Sequence, residues 1–128
     1  MRATPTPWGF ASLPAARYRS GFEPGCSIGV LTRLLAGRCD MLLATDVVEA
    51  GLAQARARTA DLPHVTVERR AVPDDWPPGT FELVVLSELG YYQRVDGLQR
   101  LLRGAVESLV SGGHLLAVHW RPFVPDYR

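Results

Sequence analysis

The chain has 128 residues, 47% of them hydrophobic, and a formal net charge of +1. That suffices for one domain-sized core, and the charge is too balanced to mark a nucleic-acid surface. No apolar run reaches the roughly 20 residues of a membrane span, and the opening Met1-Arg2-Ala3-Thr4-Pro5 lacks a signal peptide's apolar centre. A cytoplasmic location and small-molecule partners are therefore expected, without membrane or nucleic acid.

Residues 1–14, with Pro5, Pro7 and Pro14 beside Trp8 and Phe10, read as an irregular lead-in to a single domain covering 1–128. A helical turn is expected over Ala15–Arg19 and a short first strand over Arg19–Glu23. Gly25 and Gly29 then frame a tight turn, after which Ile28, Val30, Leu31, Leu34 and Leu35 recur at helical spacing as far as Gly37, a suitable cap. Met41–Asp46 is a continuous apolar run closed by an acid, the pattern of a parallel strand buried on both faces. The alanine-rich segment Val48–Ala60 is a strong helix, weakened at Gly51. Val65 and Val67 alternate with Thr66 and Glu68 in a third strand.

Pro73–Gly79 holds three prolines and must be a loop. Phe81–Ser87 is the clearest strand, followed by a turn over Glu88–Tyr92. Val95–Val110 places Leu98, Leu101, Leu102, Ala105, Val106 and Leu109 on one helical face; Ser111-Gly112-Gly113 should stop that helix, and His114–Trp120 should form a fifth strand. Cys26 and Cys39 are isolated from each other and from the histidines, which gives neither a metal site nor a disulfide framework. Both are expected as reduced thiols.

Strand and helix alternate throughout, which implies an α/β fold: a parallel sheet with right-handed crossovers and helices on both faces. Ligands of such sheets bind beyond the carboxyl ends of the strands, where strand order reverses. Glu23, Asp46, Arg70, Glu88 and His119 all fall at or near such ends. A strand, a glycine turn and a helix start can also present free backbone N–H groups, which favours a nucleotide-like cofactor.

Three patterns compete for the turn. The dinucleotide fingerprint fails at two of its three glycines, where Ser27 and Val30 stand. The nucleophile elbow G-x-S-x-G fits Gly25-Cys26-Ser27-Ile28-Gly29 literally, and would make Ser27 a hydrolase nucleophile with Asp46 or Asp96 and His119. Its context is wrong, because no oxyanion-hole glycine run precedes it. The pattern E/D-x-G-x-G-x-G fits Glu23, Gly25 and Gly29, with Ser27 at the middle glycine, and it alone explains Glu23.

With Asp46, Asp74-Asp75-Trp76-Pro77, Leu86-Ser87-Glu88-Leu89-Gly90-Tyr91-Tyr92 and the run Gly112–Arg121, the chain resembles class I S-adenosylmethionine-dependent methyltransferases, and among them the nodulation protein S-like group. The resemblance extends from about Leu13 to Tyr127 and implies a Rossmann-like sheet in order 3-2-1-4-5. It also implies that the chain is shortened at both ends, without the usual final helix and strands 6 and 7. Self-association or completion by another chain would follow, since an incomplete sheet has open edges.

The resemblance further implies S-adenosyl-L-methionine as cofactor. Gly25, Cys26, Ser27 and Gly29 would line its amino-acid portion, with Glu23 supporting the loop. Asp46 would accept the ribose hydroxyls, Val47 would lie against the adenine, and Ala71 and Val72 would lie near its edge. Glu88 would stand beside the transferable methyl, and Glu88 and His119 are the candidates for positioning or deprotonating the acceptor, an amine or hydroxyl of a small molecule such as a saccharide. Blander readings stand beside these: Asp46 as a helix N-cap, His119 and His114 as packed histidines, Trp76 as core, Cys26 as apolar filler. An inactive, cofactor-binding remnant is the alternative function.

Overall fold

The computed structural model describes residues 13–87 and 95–117. In chain order the elements are β1 (Tyr18–Pro24), α1 (Val30–Ala36), β2 (Cys39–Asp46), α2 (Glu49–Arg58), β3 (Val65–Arg69), β4 (Phe81–Leu86), α3 (Val95–Ser108) and β5 (Leu109–Ala117). Every strand pair is parallel, and the sheet runs β3-β2-β1-β4-β5, as expected. The chain moves outward from β1 to β3 and then crosses back to β4, so strand order reverses between β1 and β4. A crevice therefore opens beyond their carboxyl ends.

Successive strand residues point to opposite faces, and the core divides accordingly. On one face Leu42, Leu83 and Val85 pack with Leu31, Leu35 and Ala36 of α1. Ala44 on that same face meets Leu52 and Ala55 of α2. On the other, Phe22, Val84 and Leu86 pack with Leu101 and Ala105 of α3. Trp76 closes this second cluster, its ring edge-on to Phe22 at 5.2 Å. Each fully buried large side chain contributes about 1.5–3 kcal/mol. The proline loop thus supplies core, and Trp76 takes the packing role.

Several expected boundaries are corrected. Ala15–Arg19 forms no helical turn, because Tyr18 already donates its N–H to the Arg38 carbonyl at 2.7 Å and pairs with Cys39. Helix α1 begins only at Val30, since Gly29 has a left-handed φ of 88° that no helix continues through. Helix α3 ends at Ser108, before the glycine run, and β5 starts at once at Leu109. Gly112 and Gly113 lie inside β5 at an irregularity: Phe81 pairs with Leu109 but Leu83 with His114, so the chain loops out between them. Gly112 takes a φ of 83° there. Val106 faces solvent, not the core, at 59% exposure. The turn Glu88–Tyr92 and the last part of the expected fifth strand, including His119, lie outside the described residues.

Candidate functional site

The loop from Gly25 to Gly29 leaves β1 at the switch point, and its shape follows from three left-handed residues: Gly25 at φ 76°, Ser27 at 53° and Gly29 at 88°. Glycine takes that conformation freely, whereas Ser27 bears a Cβ penalty of roughly 1–2 kcal/mol. The loop is held to the end of β2. Gly25 and Cys26 both donate their N–H groups to the Thr45 carbonyl, at 2.7 and 2.8 Å, and Gly29 donates to Cys26 at 3.0 Å.

Asp46 completes the link. Its Oδ2 accepts the Ser27 N–H at 2.7 Å, while Oδ1 accepts the N–H of Val47 at 2.6 Å and, more loosely, that of Val48 at 3.4 Å. A carboxylate oxygen has two lone pairs, so Oδ2 retains capacity for one further donor and Oδ1 can exchange its long contact for a better one. Asp46 is half-buried, and Val47 beside it is an exposed apolar side chain. Asp46 is not the N-cap of α2, whose first residue is Glu49 and whose N-cap, Val48, has no side-chain cap bond.

The expectation that this turn offers free N–H groups narrows to the start of α1, which has no side-chain cap bond. The amides of Gly25, Cys26, Ser27 and Gly29 are all taken within the protein. Asp46 is the half-buried carboxylate beside the loop, whereas Glu23 is enclosed behind it, 1% exposed, and accepts the Thr32 hydroxyl at 2.6 Å. Burial, followed by the charges of Glu23 and Asp46, pushes the Cys26 thiol far above its ordinary range. Burial likewise raises Cys39, to about 11. Both are free, protonated thiols, and Cys26 is packed as filler against Leu52 and Ala55.

The other expected residues are placed less uniformly. Arg70 donates its N–H to the Asp46 carbonyl at 3.1 Å, which brings the following Ala71 beside the site. The Arg70 side chain turns to Glu68 and Asp75 instead. Val72 packs into the Phe22 cluster. Glu88 and His119 are outside the described residues. Among the described residues no histidine bonds Ser27: His64 meets the Ala36 carbonyl and His114 the Tyr18 hydroxyl. No group of metal-binding side chains occurs among them either.

Sequence reasoning missed Thr32, the buried partner of Glu23, and the way α2 touches the loop. The isolated Gly51 in an alanine-rich helix was the available signal. Thr45 was missed as well: its carbonyl holds the loop, while its buried hydroxyl has no partner among the described residues. Thr45→Val removes that unsatisfied group at nearly constant shape, so thermal denaturation is expected to show a gain of about 1 kcal/mol. A loss of similar size would mean that the hydroxyl is bonded after all.

A parallel sheet in this order, with a glycine loop after β1 tied to an acid ending β2, defines the Rossmann-like fold of methyltransferases with known structures. A crystal structure of a presumed methyltransferase from Pseudomonas syringae superposes with a TM-score of 0.80 at 47% identity, over 88% of this chain and 71% of that one. The N-methyltransferase NodS from Bradyrhizobium japonicum WM9, solved with S-adenosyl-l-homocysteine, gives 0.74 at 26% identity, over 79% and 52%. The family model described as Nodulation protein S (NodS) matches residues 12–119. The chain belongs to the nodulation protein S family.

Among relatives in that family, nodulation protein S of Sinorhizobium fredii is 28% identical over 106 residues, 82% of this chain and 49% of that protein. The protein of Bradyrhizobium diazoefficiens is 30% identical over 92 residues, 72% of this chain and 43% of its own length. The chain thus spans about half the length of these relatives. Among its described residues no helix is long and apolar enough to cross a membrane.

Proposed function

We propose that this chain binds S-adenosyl-L-methionine and serves transfer of its methyl group to an amine or hydroxyl of a small molecule, with a saccharide amine as the first acceptor to test. The observation that carries this reading is the link between the loop and Asp46: the amides of Gly25, Cys26, Ser27 and Gly29 are consumed internally, and the half-buried Asp46 carboxylate keeps acceptor capacity beside them. A carboxylate in that place repels phosphate and attracts the positive charge of a sulfonium. It also suits a vicinal diol, for which Asp46 offers the spare lone pair of Oδ2 and the loosely held one of Oδ1. The relative from B. japonicum, an N-methyltransferase solved with the demethylated cofactor, supports the amine.

When bound, the cofactor supplies an electrophilic methyl group and takes back the S–CH₃ electron pair as S-adenosylhomocysteine. Asp46 would hold the ribose, Val47 one adenine face, and the backbone at Ala71 and Val72 the adenine edge. Gly25, Cys26, Ser27 and Gly29 would admit the amino-acid portion, with Glu23 fixing the loop from behind. Orienting an acceptor lone pair in line with the S–CH₃ bond supplies much of the acceleration. Glu88 and His119 remain the proposed groups for orienting the acceptor and taking its proton.

The test is transfer of radiolabelled methyl from S-adenosylmethionine to matched oligosaccharides carrying either a free amine or only hydroxyls. Label on the amine-bearing acceptor alone is the expected outcome. Cofactor binding without transfer to either would favour a chain that another copy or partner must complete. Label on neither and no binding would remove the reading.

A further inference from the structure

Resting on that reading, we propose that α2, and not the loop's own helix, positions the cofactor loop, with Gly51 and Arg58 as positioning residues. Helix α1 is poorly suited to hold the loop, being seven residues long, starting from left-handed Gly29 and lacking a side-chain cap. Helix α2 instead touches three successive loop residues. A Cβ at Gly51 would meet the Ser27 carbonyl oxygen at 3.3 Å and its carbon at 3.4 Å, so the helix backbone lies directly beneath Ser27. At Gly29 the added Cβ would meet Ala55 at 2.8 Å. Between them, Arg58 Nε donates to the Ile28 carbonyl at 3.1 Å.

These contacts reach the ligand-facing side through one hydrogen bond. Ser27 presents its carbonyl to α2 and its N–H to Asp46, so a shift of Ser27 away from α2 moves the donor that orients the carboxylate. Arg58 is itself braced, because Arg33 donates to the Arg58 carbonyl at 2.9 Å and grips Asp61 with both nitrogens at 2.7 and 3.0 Å. Glycine inside a helix is destabilising relative to alanine by roughly 0.5–1 kcal/mol. Its presence under Ser27 therefore exchanges helix stability for loop depth.

That exchange separates a positioning role from a structural one. In Gly51→Ala the gain in helix propensity offsets the tight contact, and the melting temperature is expected to stay level or rise. The dissociation constant for S-adenosylhomocysteine, read by calorimetry, is expected to weaken three- to tenfold. Arg58→Met keeps the aliphatic stem and loses the donor; it is expected to weaken binding by a similar factor with the melting temperature nearly unchanged. Arg56→Met, which makes the same charge change on α2 at a residue paired with Glu49, should bind within twofold of the parent chain. Affinities within twofold for both Gly51→Ala and Arg58→Met, with the parent chain binding normally, would overturn the inference alone. A parent chain that binds nothing would overturn the functional reading beneath it. Affinity that falls only in step with melting temperature would reduce α2 to a structural role and also overturn the inference.

Discussion

Replacing Gly29 with alanine is expected to destabilise the chain by about 2–5 kcal/mol and to abolish cofactor binding, the largest functional loss expected of a loop substitution here. Two independent effects add. The φ of 88° places a Cβ in the left-handed region, which costs an L residue about 1–2 kcal/mol. The new methyl would also lie 2.8 Å from the Ala55 Cα and 2.9 Å from its Cβ. Ala55 is fully buried, so neither atom can move without displacing α2, and overpacking of this kind costs about 1–3 kcal/mol. Equilibrium unfolding in urea is the check: the midpoint should fall while the slope is unchanged. A midpoint equal to that of the parent chain would mean that neither the left-handed backbone at Gly29 nor its contact with α2 holds.

Phe22→Ala is expected to cost about 3–5 kcal/mol, the range for truncating a buried aromatic side chain. Phe22 is 0% exposed and central to the second cluster. It stacks on Phe81 at 5.1 Å with a 23° interplanar angle and takes the Trp76 ring edge-on at 5.2 Å. Val84, Leu86 and the α3 side chains Leu101 and Ala105 around it are held by the sheet and helix, which limits collapse into the space. The substitution also removes a packing partner of Trp76, in the loop that follows Ala71 and Val72. Met41→Ala, at a residue 59% exposed on β2, should change stability by less than about 0.5 kcal/mol. Equal effects of the two substitutions on the urea midpoint would contradict the assignment of the core.

The sheet was legible because its strands are dense in apolar residues and closed by recognisable punctuation. Phe81–Leu86 and the run ending at Asp46 could hardly be anything but buried strands, and the alternation with helices implied their parallel pairing. Boundaries failed where tertiary contacts outweighed local propensity. Tyr18 joins β1 because Arg38 offers a carbonyl across the sheet, a fact invisible near residue 18 itself. The glycine pair after α3 looked like a helix stop, yet it serves a bulge in β5, since a glycine run signals an unusual backbone without saying which.

The site was half legible for the same reason. Glu23, Gly25, Gly29 and Asp46 carry a pattern, and the structure brings the glycines and Asp46 together through Ser27 and Thr45. What the pattern could not convey is that the amides of Gly25, Cys26, Ser27 and Gly29 are taken up within the protein. That depends on where the Thr45 carbonyl and the Asp46 side chain fall in space, not on spacing along the chain. Thr32, Gly51 and Arg58 are similarly contact-defined: each matters through a residue on another element.

The most direct measurement is calorimetric titration of the 128-residue chain with S-adenosylmethionine and S-adenosylhomocysteine, repeated with Asp46→Ala. The predicted result is saturable binding of both ligands, weakened by the substitution by about 1–3 kcal/mol, since the ribose hydroxyls and the Ser27 N–H would lose their shared acceptor. A folded chain that binds neither ligand, or binds them equally well without Asp46, would contradict the account.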